Sequence, residues 1–192
     1  DLELARALEL GVVLNVDNVD ELHRLARLRS DHHTGVVGVR VNPEVGVGTI
    51  ATTSVAGRNS KFGVPLSIAR DHLLPELRAH PWVTGLHLHV GSQGCATEML
   101  VDACAAVEAL RHDLNDALGR RQLTTVDIGG GLSTTYDGTG EISVQRYVDA
   151  LRRQVPTLFG DDVRLVTEFG RVLQAHCGYA LTRVEYVKTR GD

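Results

Sequence analysis

The sequence predicts an α/β fold in which a parallel sheet is covered by helices, and three observations carry that prediction. Short apolar runs rich in valine alternate with longer segments whose apolar residues recur at helical spacing. Each run ends at glycine or at small polar residues, as the end of a strand requires. About six such strands can be counted, whereas a closed eight-stranded barrel takes roughly 250 residues and this chain has 192. The expected architecture is therefore either a smaller open sheet or most of a TIM-type β/α barrel with units missing.

Leu2, Ala5, Leu8 and Leu10 fall on one side of a short helix that Gly11 stops, and Val12 to Val16 follows as a buried strand. Asp17 and Asn18 can cap a second helix, with Val19, Leu22, Leu25, Ala26 and Leu28 apolar; Val36 to Val41 returns as a strand. From Asn42 to Gly63 the pattern lapses into a connection with four glycines and many Ser and Thr. Connections of that length tend to be functional, so it is read as an active-site loop, with a plain surface excursion as the alternative. Pro65 opens a helix carrying Ile68, Ala69, Leu73, Leu74 and Leu77, which Pro75 is expected to kink or divide.

Val83 to Val90 is the next strand. A long helix from Thr97 to Leu118, closed by Gly119, precedes a strand at Thr124 to Ile128, which Gly129-Gly130-Gly131 ends abruptly. A helix at Ser143 to Leu158, a strand at Val163 to Thr167, a turn at Phe169-Gly170 and a last strand near Ala180 to Val187 complete the prediction.

A net charge of -4, with Lys and Arg scattered, argues against a nucleic-acid partner. No apolar run is long enough to span a membrane, and no leader opens the chain. Cys95, Cys104 and Cys177 are an odd number without metal-type pairing, which points to thiols in a reducing compartment. The chain begins with Asp1 and runs straight into a helix, so it is read as a piece of something longer.

Chemistry is expected at the strand ends. His87 and His89 share one face of their strand, just before the polar turn Gly91-Ser92-Gln93-Gly94. In a parallel arrangement, His89 with Ser92, the run Gly129-Gly130-Gly131, and Glu168 with Gly170-Arg171 converge on one rim. Three glycines let backbone N–H groups approach an anion, and the Ser92 hydroxyl adds a donor, which makes a phosphate cup. A carboxylate able to keep a pyridine nitrogen protonated, an imidazole able to lie flat on a ring and a phosphate cup are what pyridoxal phosphate needs.

Other readings stay open. A dinucleotide fingerprint fails at Thr134, which stands where the third glycine belongs. A metal on His87 and His89 is short of ligands, with only Asp127 and Glu168 near the later strand ends, so no metal is expected. His87 suits a satisfied core residue better than His89 does; the glycines can be a tight turn, and Glu168 with Arg171 a plain ion pair. The only lysines are Lys61, in the long loop, and Lys188, after the last strand, so the Schiff-base lysine that pyridoxal phosphate requires is not supplied by the rim.

At these positions the chain resembles the barrel domain of the alanine-racemase-fold (group IV), pyridoxal-phosphate-dependent decarboxylases, above all the diaminopimelate decarboxylases. Ornithine and arginine decarboxylases of that fold are more distant kin. The likeness rests on NVDNVDEL, VRVNP, SKFG, GLHLHVGSQ, VDIGGG, and EFGR followed by YVK, in the family's order over nearly the whole chain. It implies an alanine racemase-like barrel that binds pyridoxal phosphate and acts on a diamino or basic amino acid, in lysine biosynthesis, as a cytoplasmic homodimer. By the same resemblance His89 stacks on the cofactor ring, Ser92 and Gly129, Gly130 and Gly131 bind its phosphate, and the amides around Phe169, Gly170 and Arg171 join them. Glu168 pairs with the ring nitrogen, Arg40 lies close to that pair, and Arg171 contacts the substrate carboxylate.

Two departures matter. The family form Glu-Pro-Gly-Arg is here Glu168-Phe169-Gly170-Arg171, which restores a backbone N–H and loosens the turn. The family's cofactor-linking lysine lies on a strand before Asp1, and its second domain, a β-barrel with a catalytic cysteine and a tyrosine, follows after Asp192. Residues 1–192 alone are then expected to be inactive. A non-catalytic homologue that binds partner protomers, and a racemase of the same fold, are the alternatives this leaves.

Overall fold

The computed structural model describes residues 1–30, 35–46, 55–136 and 143–189. Six strands form the sheet: β1 (Leu14–Val16), β2 (Val37–Asn42), β3 (Val64–Pro65), β4 (Val83–His87), β5 (Thr125–Asp127) and β6 (Arg164–Val166). Every pairing is parallel, in the order β1-β2-β4-β5-β6, and β3 lies beside the carboxyl end of β2. Neighbours in the sheet thus follow chain order without reversal, which is the strand order of a barrel arc and not of a doubly wound sheet. Among the described residues β1 and β6 do not pair, so the arc is open.

Register gives the two faces different chemistry. Val16, Val39, Leu86, Val126 and Leu165 form one row across the sheet, and all but the partly buried Leu165 are sealed in the core. The adjacent row is Arg40, His87, Asp127 and Val166, and alternation of side chains puts it on the opposite face. Asn15, Gly38, Gly85 and Thr125 make a further row on that second face. A Cβ on Gly38 would displace the Asn15 carboxamide, the group that holds Asp127.

The apolar face is covered by α1 (Leu2–Leu10), α2 (Val19–Leu28), α3 (Leu66–Ala79), α4 (Thr97–Leu118) and α5 (Val144–Gln154), each packed on the next. Gly11 ends α1 in the left-handed conformation at φ 63°. The Asn18 side chain caps α2 by accepting from Glu21 N at 2.8 Å, and Glu21 Oε2 accepts from Asp17 N at 2.7 Å. Asn18→Ala is therefore expected to cost about 1 kcal/mol in urea unfolding, with the slope of the transition unchanged.

Four expectations need correction. Pro75 does not divide α3, which runs unbroken through it; Pro75 and Asp71, whose carbonyl loses its helical donor, are both exposed residues. The helix expected through Leu158 stops at Gln154, since Pro156 cannot donate and pushes Val155 out of helical geometry to φ -133°, ψ 55°; a 3₁₀ turn, Pro156–Phe159, follows. The strand near Ala180 to Val187 is not formed. That segment is irregular and its side chains are exposed, and among the described residues β6 pairs only with β5 and no strand pairs with the segment. Finally, a four-residue helix, α6 (Arg171–Gln174), follows Gly170 where only a turn is expected.

Part of the long connection expected as an active-site loop, residues 47–54, lies outside the described residues, as do 137–142 of the polar loop after the glycine run. The described flanks return to the carboxyl end of the sheet. Val55 N donates to Val90 O at 3.0 Å, and Asn42 Nδ2 to Gly57 O at 3.0 Å. No described helix is long and apolar enough to cross a membrane.

Candidate active site

The loops after β4, β5 and β6 meet at the carboxyl edge of the sheet. Glu168 N donates to Gly129 O at 2.8 Å, and Gly130 N donates to His89 Nδ1 at 3.2 Å. These contacts demand glycine. A Cβ at Gly129 (φ 65°) would lie 2.7 Å from His89 Nδ1, one at Gly130 would lie 2.8 Å from Glu168 O, and one at Gly131 (φ 102°) would overlap Gly91 O. The three expected components of the rim are therefore in direct contact.

A cavity of about 180 Å³ opens among them. His89, Ser92, Gly131, Glu168, Phe169, Gly170 and Arg171 line it, with Leu132 and Val172 as apolar wall. Gly129 and Gly130 do not. Gly129 N is engaged by Asp127 Oδ1 at 3.0 Å and Gly130 N by His89, so of the glycine run only Gly131 faces the cavity. The expected three-amide cup is thus narrowed to Gly131, Ser92 and the chain around Gly170. The bond from Gly130 also fixes His89 Nδ1 as an acceptor, which puts the proton of the neutral ring on Nε2.

Behind the cavity stands a charged cluster from the polar face. Glu168 Oε1 is 3.7 Å from His87 Nε2, and Glu168 Oε2 is 3.8 Å from His89 Nδ1. Asp127 is held by Asn15 Nδ2 at 3.1 Å as well as by Gly129 N. Burial, then repulsion from Asp127, raises the Glu168 carboxyl above its ordinary range, and Arg40 works against them. Burial lowers His89. Arg40 lies 3.9 Å from Asp17 Oδ1 and stacks on Phe62 at 4.6 Å from the ring centroid, so it contributes charge to the cluster without lining the cavity.

His87 is not the satisfied core residue expected. It is 6% exposed, yet neither ring nitrogen has a hydrogen-bond partner among the described residues, and desolvation pushes its pKa down to about 4. The metal alternative gains the ligands it lacked, since donor atoms of His87, Asp127 and Glu168 lie within 4.8 Å of one another. Arg40 bears on two of these three, His87 and Glu168, as a fixed positive charge, which opposes a cation there.

A histidine held neutral in the fold and free to protonate when unfolded makes the unfolded state bind more protons between its two pKa values. Its contribution is complete above about pH 6.5 and is lost as pH falls toward about 4. Glu168, raised, runs in the opposite sense. Comparison of thermal midpoints at pH 7 and 4.5 should therefore show a smaller acid loss for His87→Gln than for the unaltered chain.

Sequence reasoning missed the residues that hold the loops together. Gln93 Nε2 donates to Thr134 O at 2.5 Å, Thr134 N donates back to Gln93 Oε1 at 3.3 Å, and Gly94 N donates to Ser133 Oγ at 2.9 Å. Arg171 Nη1 donates to Ser92 O at 3.3 Å, tying α6 to the same turn. Phe169 packs edge-on to Tyr147 at 6.3 Å between centroids, which gives the residue in place of proline a packing role. Gln93 and Asp127 lie inside the quoted motifs, and only their partners were illegible.

The family model described as pyridoxal-dependent decarboxylase, pyridoxal binding domain, matches residues 1–175. Diaminopimelate decarboxylase of Pseudomonas fluorescens is 35% identical over 196 residues, covering 97% of this chain and 44% of the relative. Among solved structures, diaminopimelate decarboxylase from Helicobacter pylori complexed with L-lysine superposes with a TM-score of 0.73 at 26% identity, over 88% of this chain and 43% of that one. The arginine decarboxylase of Paramecium bursaria Chlorella virus bound to agmatine gives 0.65 at 26% identity, over 88% and 42%. The chain spans less than half the length of the curated relatives it matches.

Proposed function

The chain belongs to the pyridoxal-dependent decarboxylases, and from its place in their pyridoxal-binding domain we propose that the whole protein removes carbon dioxide from diaminopimelate or a related basic amino acid. The observation that carries this reading is the meeting of His89, Gly131 and Glu168 at one cavity on the carboxyl edge of a parallel arc. The residues present fit the cofactor. They offer the Ser92 hydroxyl and the chain at Gly131 and Gly170 for a phosphate, an imidazole beside the cavity, and the Glu168 carboxyl to face a ring nitrogen.

Bound there, pyridoxal phosphate supplies an electron-withdrawing ring that accepts the charge left by a departing carboxylate. Glu168 would face the ring nitrogen as a carboxylate and hold the proton there by its negative charge, and a cationic ring nitrogen would in turn favour the ionised form of a carboxyl that burial and Asp127 otherwise raise. His89 presents its ring to the cofactor, oriented by the Gly130 N–H on Nδ1. Ser92, Gly131 and the amides around Gly170 take the phosphate, while Arg171, anchored through Nη1, orients the substrate carboxylate. Arg40 balances the charge of Glu168 and Asp17.

The relatives are more than twice as long, and the lysine that carries the cofactor and a second, β-rich domain are read as belonging to the remainder. The same reading makes the working form a cytoplasmic homodimer. The deciding experiment offers the full-length protein diaminopimelate, lysine, ornithine and arginine in both hands and measures carbon dioxide release. Release from one of them at pyridoxal-phosphate-dependent rates is expected; none from any would overturn the proposal.

A further inference from the structure

We infer that His23, Glu76 and His80 form a binding site for one divalent transition-metal ion of the zinc class, clamping α2 to α3. His23 comes from α2, while Glu76 and His80 stand one turn apart at the end of α3, so that spacing puts the latter two on one face. His23 Nε2 lies 2.8 Å and His80 Nε2 3.6 Å from the same oxygen, Glu76 Oε2, and the three donor atoms lie within 4.8 Å of one another.

These distances suit a shared ion. Ligand bonds of about 2.0–2.2 Å in a tetrahedron put neighbouring donors roughly 3.3–3.5 Å apart, so the 2.8 Å pair opens slightly and the 3.6 Å pair closes slightly. Two imidazoles and one carboxylate are the donor set of the zinc class, and three protein ligands leave a fourth position for water. Glu76 and His80 are about four-fifths shielded, whereas His23 is 46% exposed and gives the entry path. The ion would therefore enter between the helices from the side of α2.

The location is remote from the cavity. His80 and Trp82 precede the first residue of β4, so the cluster lies toward the amino edge of the sheet, whereas His89 and Glu168 follow the carboxyl ends of β4 and β6. In β/α barrels the amino edge is the pole of stability, and an ion there acts by joining two neighbouring helices. The inference does not rest on the decarboxylase reading.

Trp82 makes it testable. It is the only tryptophan of the chain, and its ring lies 5.2 Å from that of His80, so a paramagnetic ion on His80 quenches its fluorescence. Chelator-treated full chain is titrated with Co²⁺, followed by Trp82 emission and visible absorbance, and then with Zn²⁺ as competitor. Saturable quenching at one ion per chain is expected, with a tetrahedral absorbance that Zn²⁺ abolishes. His23→Ala and Glu76→Gln should each weaken binding by about 10-fold or more, because losing a ligand costs at least as much as losing a group behind one. Zn²⁺ should raise the melting temperature of the unaltered chain and not of the variants. Quenching that never saturates, or that both variants retain at unchanged affinity while keeping their helical circular dichroism, overturns the inference.

Discussion

Glu168→Ala in the whole protein is expected to lower kcat by about 10²–10³-fold while the cofactor stays bound, the scale seen when one pre-placed electrostatic contact to a developing charge is removed. The reason is positional. Glu168 reaches the cavity beside His89, but its backbone N–H, not its carboxylate, holds the Gly129 turn, so truncation leaves the phosphate-facing chain in place. Ser92→Ala should divide the other way, with weaker cofactor retention through gel filtration and little change in kcat at saturating pyridoxal phosphate. Unchanged turnover in Glu168→Ala would remove this residue from the chemistry.

Arg111→Met is expected to destabilise the chain by about 3–5 kcal/mol in urea unfolding, the cost of leaving a buried charge without its partner. Arg111 and Glu108 are 3% and 2% exposed on α4 and meet through two bonds, Nε to Oε2 at 2.7 Å and Nη2 to Oε1 at 2.8 Å. Arg111 Nη1 also donates to Leu123 O at 3.0 Å, just before β5, so the pair positions the strand that leads to Asp127 and the glycines. With the arginine gone, Glu108 keeps, among the described residues, the ion pair with His112, 3.0 Å away and 49% exposed. Glu108→Leu combined with Arg111→Met should recover most of the loss, because two matched apolar groups replace two charges. A double variant as unstable as the single one would show that Arg111 acts through Leu123 instead.

The limits of the sequence follow from where each constraint resides. α4 runs from Thr97 to Leu118 as expected, because its stop is local: Gly119 at φ 66° ends the helix without help from tertiary contacts. The segment 180–187 has a strand's composition, but a strand exists only where a neighbour supplies the ladder, and composition carries no information on that. At the site, His89, Ser92, Gly131, Glu168 and Arg171, which the motifs single out, line one cavity. The motifs did not show which amides are available, since the N–H groups of Gly129 and Gly130 are claimed by Asp127 and His89 through the meeting of two loops. Hydrogen-bond allocation between distant segments is a tertiary property, whereas the need for glycine at a crowded turn is written locally.

The reciprocal bonding of Gln93 with Thr134 has a bearing on how a ligand would arrive. It rivets the turn bearing Ser92 to the stretch after Gly131, so two walls of the pocket behave as one stiff body before anything enters. An anion docking there would then immobilise little that is not already still, and the entropic penalty of capture falls largely on the incoming molecule.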